Sequence, residues 1–201
     1  MEVIGLTDFI SKLKTMKITL PTSITLLRIA LIPLFVIVFY LPFSWSNQVA
    51  AAIFGLACFS DWVDGFLARM LKQESAFGAF LDPVADKLIV VAAIVLIVEA
   101  HPSIYVALPS VIIVAREITV SALREWMAEL GKRAAIKVSF VGKAKTTAQL
   151  FSLFLMIYNE PIAGYPTFEI GLGFYYLAAI FTIVSMVLYL KAAWPIITEN
   201  G

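Results

Sequence analysis

Six apolar stretches, each close to the thickness of a bilayer in length, constrain this chain more than any other feature. They cover approximately residues 24–41, 49–70, 80–100, 104–126, 144–158 and 170–195. At about 1.5 Å of rise per residue each can cross roughly 30 Å of hydrocarbon, the fifth only marginally. Lipid offers the backbone no hydrogen bonds, so a crossing segment must be a helix or part of a closed barrel. The alternating pattern of a barrel is absent, and the expected fold is all-α with six transmembrane helices. Composition agrees, since 61% of residues are apolar and only 14% charged, outside the balance of a soluble domain.

Orientation follows from where the cations lie. The connections around 42–48, 99–103 and 159–169 contain no Lys or Arg, and the fifteen basic residues fall toward the opposite helix ends. The positive-inside rule then puts both termini and the remaining connections on the cytoplasmic side. Trp45, Tyr105, Trp126 and Trp194 stand near span boundaries, as an aromatic belt requires. Residues 1–20 carry Val3, Leu6, Ile10 and Leu13 at helical spacing among lysines, a pattern that suits an amphipathic helix lying in the interface. That segment lacks the continuous apolar run of a signal peptide. No internal repeat or linker divides residues 21–201, which read as one domain. Cys58 is the single cysteine and reads as a buried thiol, and no nucleic-acid partner is expected.

The chemistry concentrates in Asp61-Trp62-Val63-Asp64-Gly65-Phe66-Leu67-Ala68-Arg69, then Gly78, then Asp82-Pro83-Val84-Ala85-Asp86-Lys87. Asp61 and Asp64 are spaced to share one helix face, and so are Asp82 and Asp86. A short turn near 73–76 would make the two helices antiparallel neighbours and bring the pairs together. Two carboxylates about 5 Å apart repel by roughly 3 kcal/mol at an effective dielectric of about 20, and ionised groups inside a span are costly in themselves. Either some of the four are protonated or divalent cations lie between them. With only carboxylate oxygens on offer, Mg2+ or Mn2+ is the natural occupant.

Gly65, Ala68 and Gly78 extend the carboxylate faces as surfaces without bulk, open to a phosphate or a flat base, although small residues also serve close helix packing. Arg69 can donate to a phosphate or snorkel to the interface. Thr25 and Arg28, at the start of the first span, can border the acids or anchor their helix.

From Asp61 to Asp86 the chain matches D-x2-D-G-x2-A-R-x8-G-x3-D-x3-D at all eight fixed positions, and in this it resembles the CDP-alcohol phosphotransferase family. The resemblance implies a six-helix fold that forms a homodimer, with its active site near the cytoplasmic surface. It implies two Mg2+ or Mn2+ ions held by Asp61, Asp64, Asp82 and Asp86, with Asp86 also the general base. Asp61, Gly65, Ala68, Arg69, Gly78 and Asp82 would contact CDP. The reaction implied moves the phosphatidyl group of CDP-diacylglycerol onto an alcohol and releases CMP.

The acceptor alcohol is read from the second half. Arg116 lies midway along the fourth span beside Glu117, where a charge is expected to face the bundle interior. A phosphorylated acceptor such as glycerol 3-phosphate suits it, with Lys137, Lys143 and Lys145 as further contacts. The runs 21–28, 116–117, 122–133 and 142–147 look like the bacterial branch of the family that makes phosphatidylglycerophosphate. Thr22 departs from the Asn that many members carry after the first proline, and is set aside as a site residue. The segment before Pro21 also looks longer than usual. Serine, inositol phosphate and phosphatidylglycerol are alternative acceptors. A cation-coupled transporter, whose acids would line an ion path, is the competing reading. His101 falls at the end away from the acids and is not expected to be catalytic.

Overall fold

The computed structural model describes residues 20–71, 76–131 and 140–200. They form six helices: α1 (Leu20–Phe39), α2 (Ser46–Leu71), α3 (Ala76–Ala100), α4 (Ile104–Glu129), α5 (Phe140–Tyr158) and α6 (Thr167–Asn200). Five of the six expected stretches fall inside one of them, and the first, 24–41, runs two residues past the end of α1. Among the described residues the nearest thing to a strand is a single bridge between Ile162 and Tyr165. The expected interfacial segment, Lys132, Arg133 and Lys137 lie outside the described residues.

Three windows, Thr22–Phe39, Ile104–Glu129 and Thr167–Ile196, are long and apolar enough to cross a membrane. The solvent preferences of the side chains are inverted in the way a lipid-facing bundle requires. Leu27, Ile37, Val111 and Ile118 are all about 60% exposed or more, whereas Thr25 and Arg28 are 1% exposed. In water such an outer surface would aggregate; in hydrocarbon it is solvated, and polar groups gather inside where they can find partners. Fully buried alanines, among them Ala50, Ala57, Ala93 and Ala178, let the helices approach closely where no hydrophobic force holds them.

Helices α1 and α3 run parallel as neighbours, α2 runs against both, and α5 packs against α6 and α2. Helices α4 and α6 also run parallel, with Ser110 bonded to Tyr175 and Arg124 to Tyr189, the same offset in both pairs. One apolar core joins α1, α2 and α3 to Val106 and Ile113 of α4, Leu153 and Met156 of α5, and Tyr175 and Ala178 of α6. A second, smaller one joins Val120, Leu123 and Met127 of α4 to Tyr189, Ala193 and Ile196 of α6. Ser103 caps α4 by accepting from the Tyr105 amide, and Gly131, at φ 69°, takes the left-handed position just past its end. His101 follows α3 at the end away from the aspartates, its ring centroid 4.1 Å from that of Phe168. Burial pushes its pKa below the ordinary value, against the pull of Glu169.

Among the described glycines the closest approach is at Gly171 of α6, where a Cβ would lie 2.8 Å from Met156 Cγ and 3.0 Å from the Ser152 carbonyl oxygen. Gly171→Ala must therefore push α5 and α6 apart, an expected loss of about 1–3 kcal/mol seen as a lower unfolding temperature in detergent. Gly173→Ala meets nothing within 4 Å and is the control that should leave stability unchanged or slightly raised.

Candidate active site

Thr22, Thr25 and Arg28 recur every three residues along α1 and are all buried, forming a polar stripe on an otherwise apolar helix. The stripe meets α3. Thr25 donates its hydroxyl to Asp82 Oδ1 at 2.5 Å, and Arg28 Nη1 ion-pairs with Asp86 Oδ1. Arg28 Nε also donates to Ser60 Oγ of α2 at 3.4 Å, and Ser60 in turn donates to the Ala57 carbonyl at 2.8 Å. One guanidinium thus ties three helices together beside two of the predicted acids. The Arg28 side chain is fully buried, while that of Asp86 is 44% exposed, so the carboxylate keeps an open side.

Asp61, Asp64, Gly65, Ala68 and Arg69 lie in the last three turns of α2; their side chains lie outside what the structure describes. Backbone register still compares the two pairs. Asp64 stands about 10 Å from the end of α2 and Asp82 about 9 Å from the start of α3, while Asp61 and Asp86 each stand about 15 Å in. In antiparallel neighbours joined across 72–75, Asp64 is therefore level with Asp82 and Asp61 with Asp86. Gly78 is buried one turn before Asp82, and Asp82 and Asp86 are half-buried.

A second polar layer crosses α4, α5 and α6. Glu117 is paired with Lys145 and, at 3.3 Å, with Arg116. Arg116 Nη2 donates to Ser185 at 3.0 Å, and its guanidinium carbon lies 5.5 Å from the centroid of the Tyr189 ring. Arg124 covers the same ring at 5.2 Å and donates to the Tyr189 hydroxyl at 2.7 Å. Lys87, next after Asp86, lies within electrostatic range of Glu117 and so links the layer to the acid-bearing helix.

Of the basic residues expected to meet an acceptor, Arg116 and Lys145 are buried in this layer, Lys143 is exposed, and Lys137 lies outside the described residues. Thr25 and Arg28, left between two roles by the sequence, touch the acids directly. Thr22, set aside earlier, is buried on the same stripe. Ser60, Ser185 and Tyr189 were not singled out. Their only sequence signal is a polar atom inside an apolar span, and what they bind depends on residues far away in the chain.

Chemically, the acid end offers only oxygen donors, a set that fits a hard divalent cation. The second layer offers two buried cations against one carboxylate, a surplus of positive charge suited to an anion.

Residues 18–190 match the CDP-alcohol phosphatidyltransferase family. The chain is 51% identical over 179 residues, 89% of this chain and 96% of the relative, to a Salmonella paratyphi A protein named CDP-diacylglycerol–glycerol-3-phosphate 3-phosphatidyltransferase. Proteins of the same name from Pectobacterium atrosepticum and Shigella flexneri are also 51% identical, over 180 and 178 residues.

Arg28→Ala removes the cation beside Asp86 and the bond to Ser60. It is expected to lower stability by about 2–3 kcal/mol, below the full value for a buried pair because Asp86 is part-exposed. Arg28→Lys keeps the charge without the fork and should recover only part of that loss in thermal unfolding. Thr25→Val, which deletes one hydroxyl, should cost about 1 kcal/mol.

Proposed function

This chain belongs to the CDP-alcohol phosphatidyltransferase family, and from that premise we propose that it transfers the phosphatidyl group of CDP-diacylglycerol to glycerol 3-phosphate. The products are phosphatidylglycerophosphate and CMP. The observation that carries the reading is the set of relatives, 51% identical over nearly their whole length, that are named for this reaction. The buried Arg116 and Lys145 beside the acid-bearing helix support a phosphorylated acceptor.

In this reading six helices cross the inner membrane as a homodimer. Residues 1–20 lie in the interface, 21–201 form the catalytic domain, and both termini and the acids face the cytoplasm. Asp61, Asp64, Asp82 and Asp86 would hold Mg2+ or Mn2+, two ions in all, and bound metal would neutralise pyrophosphate charge as CMP leaves. Gly65, Ala68 and Gly78 give CDP a surface without side-chain bulk, and Arg69 donates to its phosphates. Thr25 and Arg28 fix the directions of Asp82 and Asp86.

Arg116 and Lys145, with Lys137 and Lys143 from the same end, bind the acceptor phosphate and hold the glycerol hydroxyl in line with the β-phosphorus. That hydroxyl oxygen forms the new bond to phosphorus while the bond to the CMP oxygen breaks. Asp86 takes the hydroxyl proton. The lipid product keeps its tails in the bilayer and CMP departs to water.

Purified protein given CDP-diacylglycerol and Mg2+ should release CMP with glycerol 3-phosphate, and not with serine, inositol phosphate or phosphatidylglycerol. Stripping divalent metal should abolish that release. Release with another acceptor alone would reassign the substrate, and none with any alcohol would return the acids to a transport role. Asp86→Asn should lower kcat by about 10²–10⁴-fold, far more than Arg28→Ala, although both break the same ion pair and both lower the unfolding temperature. Arg116→Ala should raise the KM for glycerol 3-phosphate more than that for the CDP-lipid; equal increases would remove Arg116 from the acceptor site.

A further inference from the structure

Among the described residues, the buried side-chain polar atoms that lack a hydrogen-bond partner are three: Arg116 Nε on α4, Gln149 Oε1 on α5 and Thr182 Oγ1 on α6. Helix register brings them to neighbouring levels of three packed helices. The offset shared by the Ser110–Tyr175 and Arg124–Tyr189 bonds puts Thr182 level with Glu117 on the parallel helix. Gly171 packed on Ser152 and Met156 sets α5 antiparallel to α6, which puts Thr182 about level with Lys145 and Gln149 about one turn deeper. Gln149 follows Lys145 by four residues and so shares its helix face.

The apolar core breaks at the same level. Along α4 the main core ends at Ile113 and the smaller one begins at Val120; along α6 the gap runs from Ala179 to Tyr189. Arg116 and Thr182 stand in that gap, and Gln149 lies about one turn deeper on α5, between Ala148 and Leu150, which pack on the main core. A buried polar atom without a partner costs about 1–3 kcal/mol, and three such atoms at neighbouring levels, where the other buried side-chain polar atoms among the described residues are bonded, mark room for a polar guest.

Their chemistry describes the guest. Arg116 Nε can only donate, Gln149 Oε1 can only accept, and the Thr182 hydroxyl can do either. The complement is a small molecule with an anionic oxygen and a free hydroxyl. Ser185 and the Tyr189 ring already orient the Arg116 guanidinium, leaving its Nε edge for that anion. We infer that Gln149 and Thr182 read the secondary hydroxyl of glycerol 3-phosphate, the one that does not attack, while Arg116 binds its phosphate. This rests on the proposed function and adds the residues that tell a glycerol phosphate from other phosphorylated alcohols.

The test uses 3-hydroxypropyl phosphate, which keeps the attacking hydroxyl and the phosphate and lacks the secondary hydroxyl. Wild-type protein should use it with a kcat/KM at least about tenfold below that for glycerol 3-phosphate, because a site built around a hydroxyl is left unpaired without it. In Thr182→Val and Gln149→Met the ratio should fall toward about one, through loss on glycerol 3-phosphate, with the KM for CDP-diacylglycerol unchanged. Equal use of both acceptors by the wild type would overturn the inference even if neither variant folds. So would variants that keep the discrimination and shift only the unfolding temperature, the mark of a site for structural water. A wild type inactive on glycerol 3-phosphate would remove the proposed function along with it, whereas normal turnover without discrimination would remove this inference alone.

Discussion

A charge inside hydrocarbon has to find its counter-charge within the bundle, and this requirement organises the rest of the structure. Placing one ionisable residue at the centre of a membrane helix costs about 2.5–3.5 kcal/mol even on lenient scales, so each is paired or turned to a polar interior. Arg28 answers Asp86, and Lys145 and Arg116 answer Glu117. These pairings also set register. Thr25 with Asp82 and Arg28 with Asp86 are separated by 57 and 58 residues, as two parallel helices in step require. A slip of one residue would leave both acids facing the wrong part of α1.

The same requirement explains why the interior is polar in two bands and not throughout. The main core is closely packed around alanines and aromatic rings such as Phe35 and Phe54, whose centroids lie 6.1 Å apart. Charged groups enter it, among the described residues, where several helices contribute to one cluster: around Arg28 on α1, α2 and α3, and around Glu117 on α4, α5 and α6. Lys87, within range of Glu117, is the described link between the clusters.

Much of this was legible in the sequence, because hydropathy and helical spacing are local properties. The six apolar stretches and the acid pairs were read from residues a few positions apart. Boundaries were less legible. α1 begins at Leu20, before the expected 24, because Thr22 and Thr25 lower the hydropathy without interrupting the helix, and α6 runs past Pro195 to Asn200 for the same reason. The partners of Arg28 and Arg116 were not legible at all, since they lie tens of residues away and depend on which helices are neighbours. Gln149 and Thr182 raised no signal, being single polar residues in apolar runs whose meaning depends on what they fail to touch.

The order of the helices has a consequence for how such a protein can diversify. The partners described above for Asp82 and Asp86 are Thr25 and Arg28 of α1, early in the chain, and those described for the Glu117 cluster, Lys87 aside, belong to α4, α5 and α6, late in it. Substitutions in the late half can reshape one compartment while leaving the aspartate scaffold in place. A lineage built on this plan can therefore vary one polar cluster by mutation of one contiguous stretch of gene, keeping the aspartate-bearing helices encoded upstream unaltered.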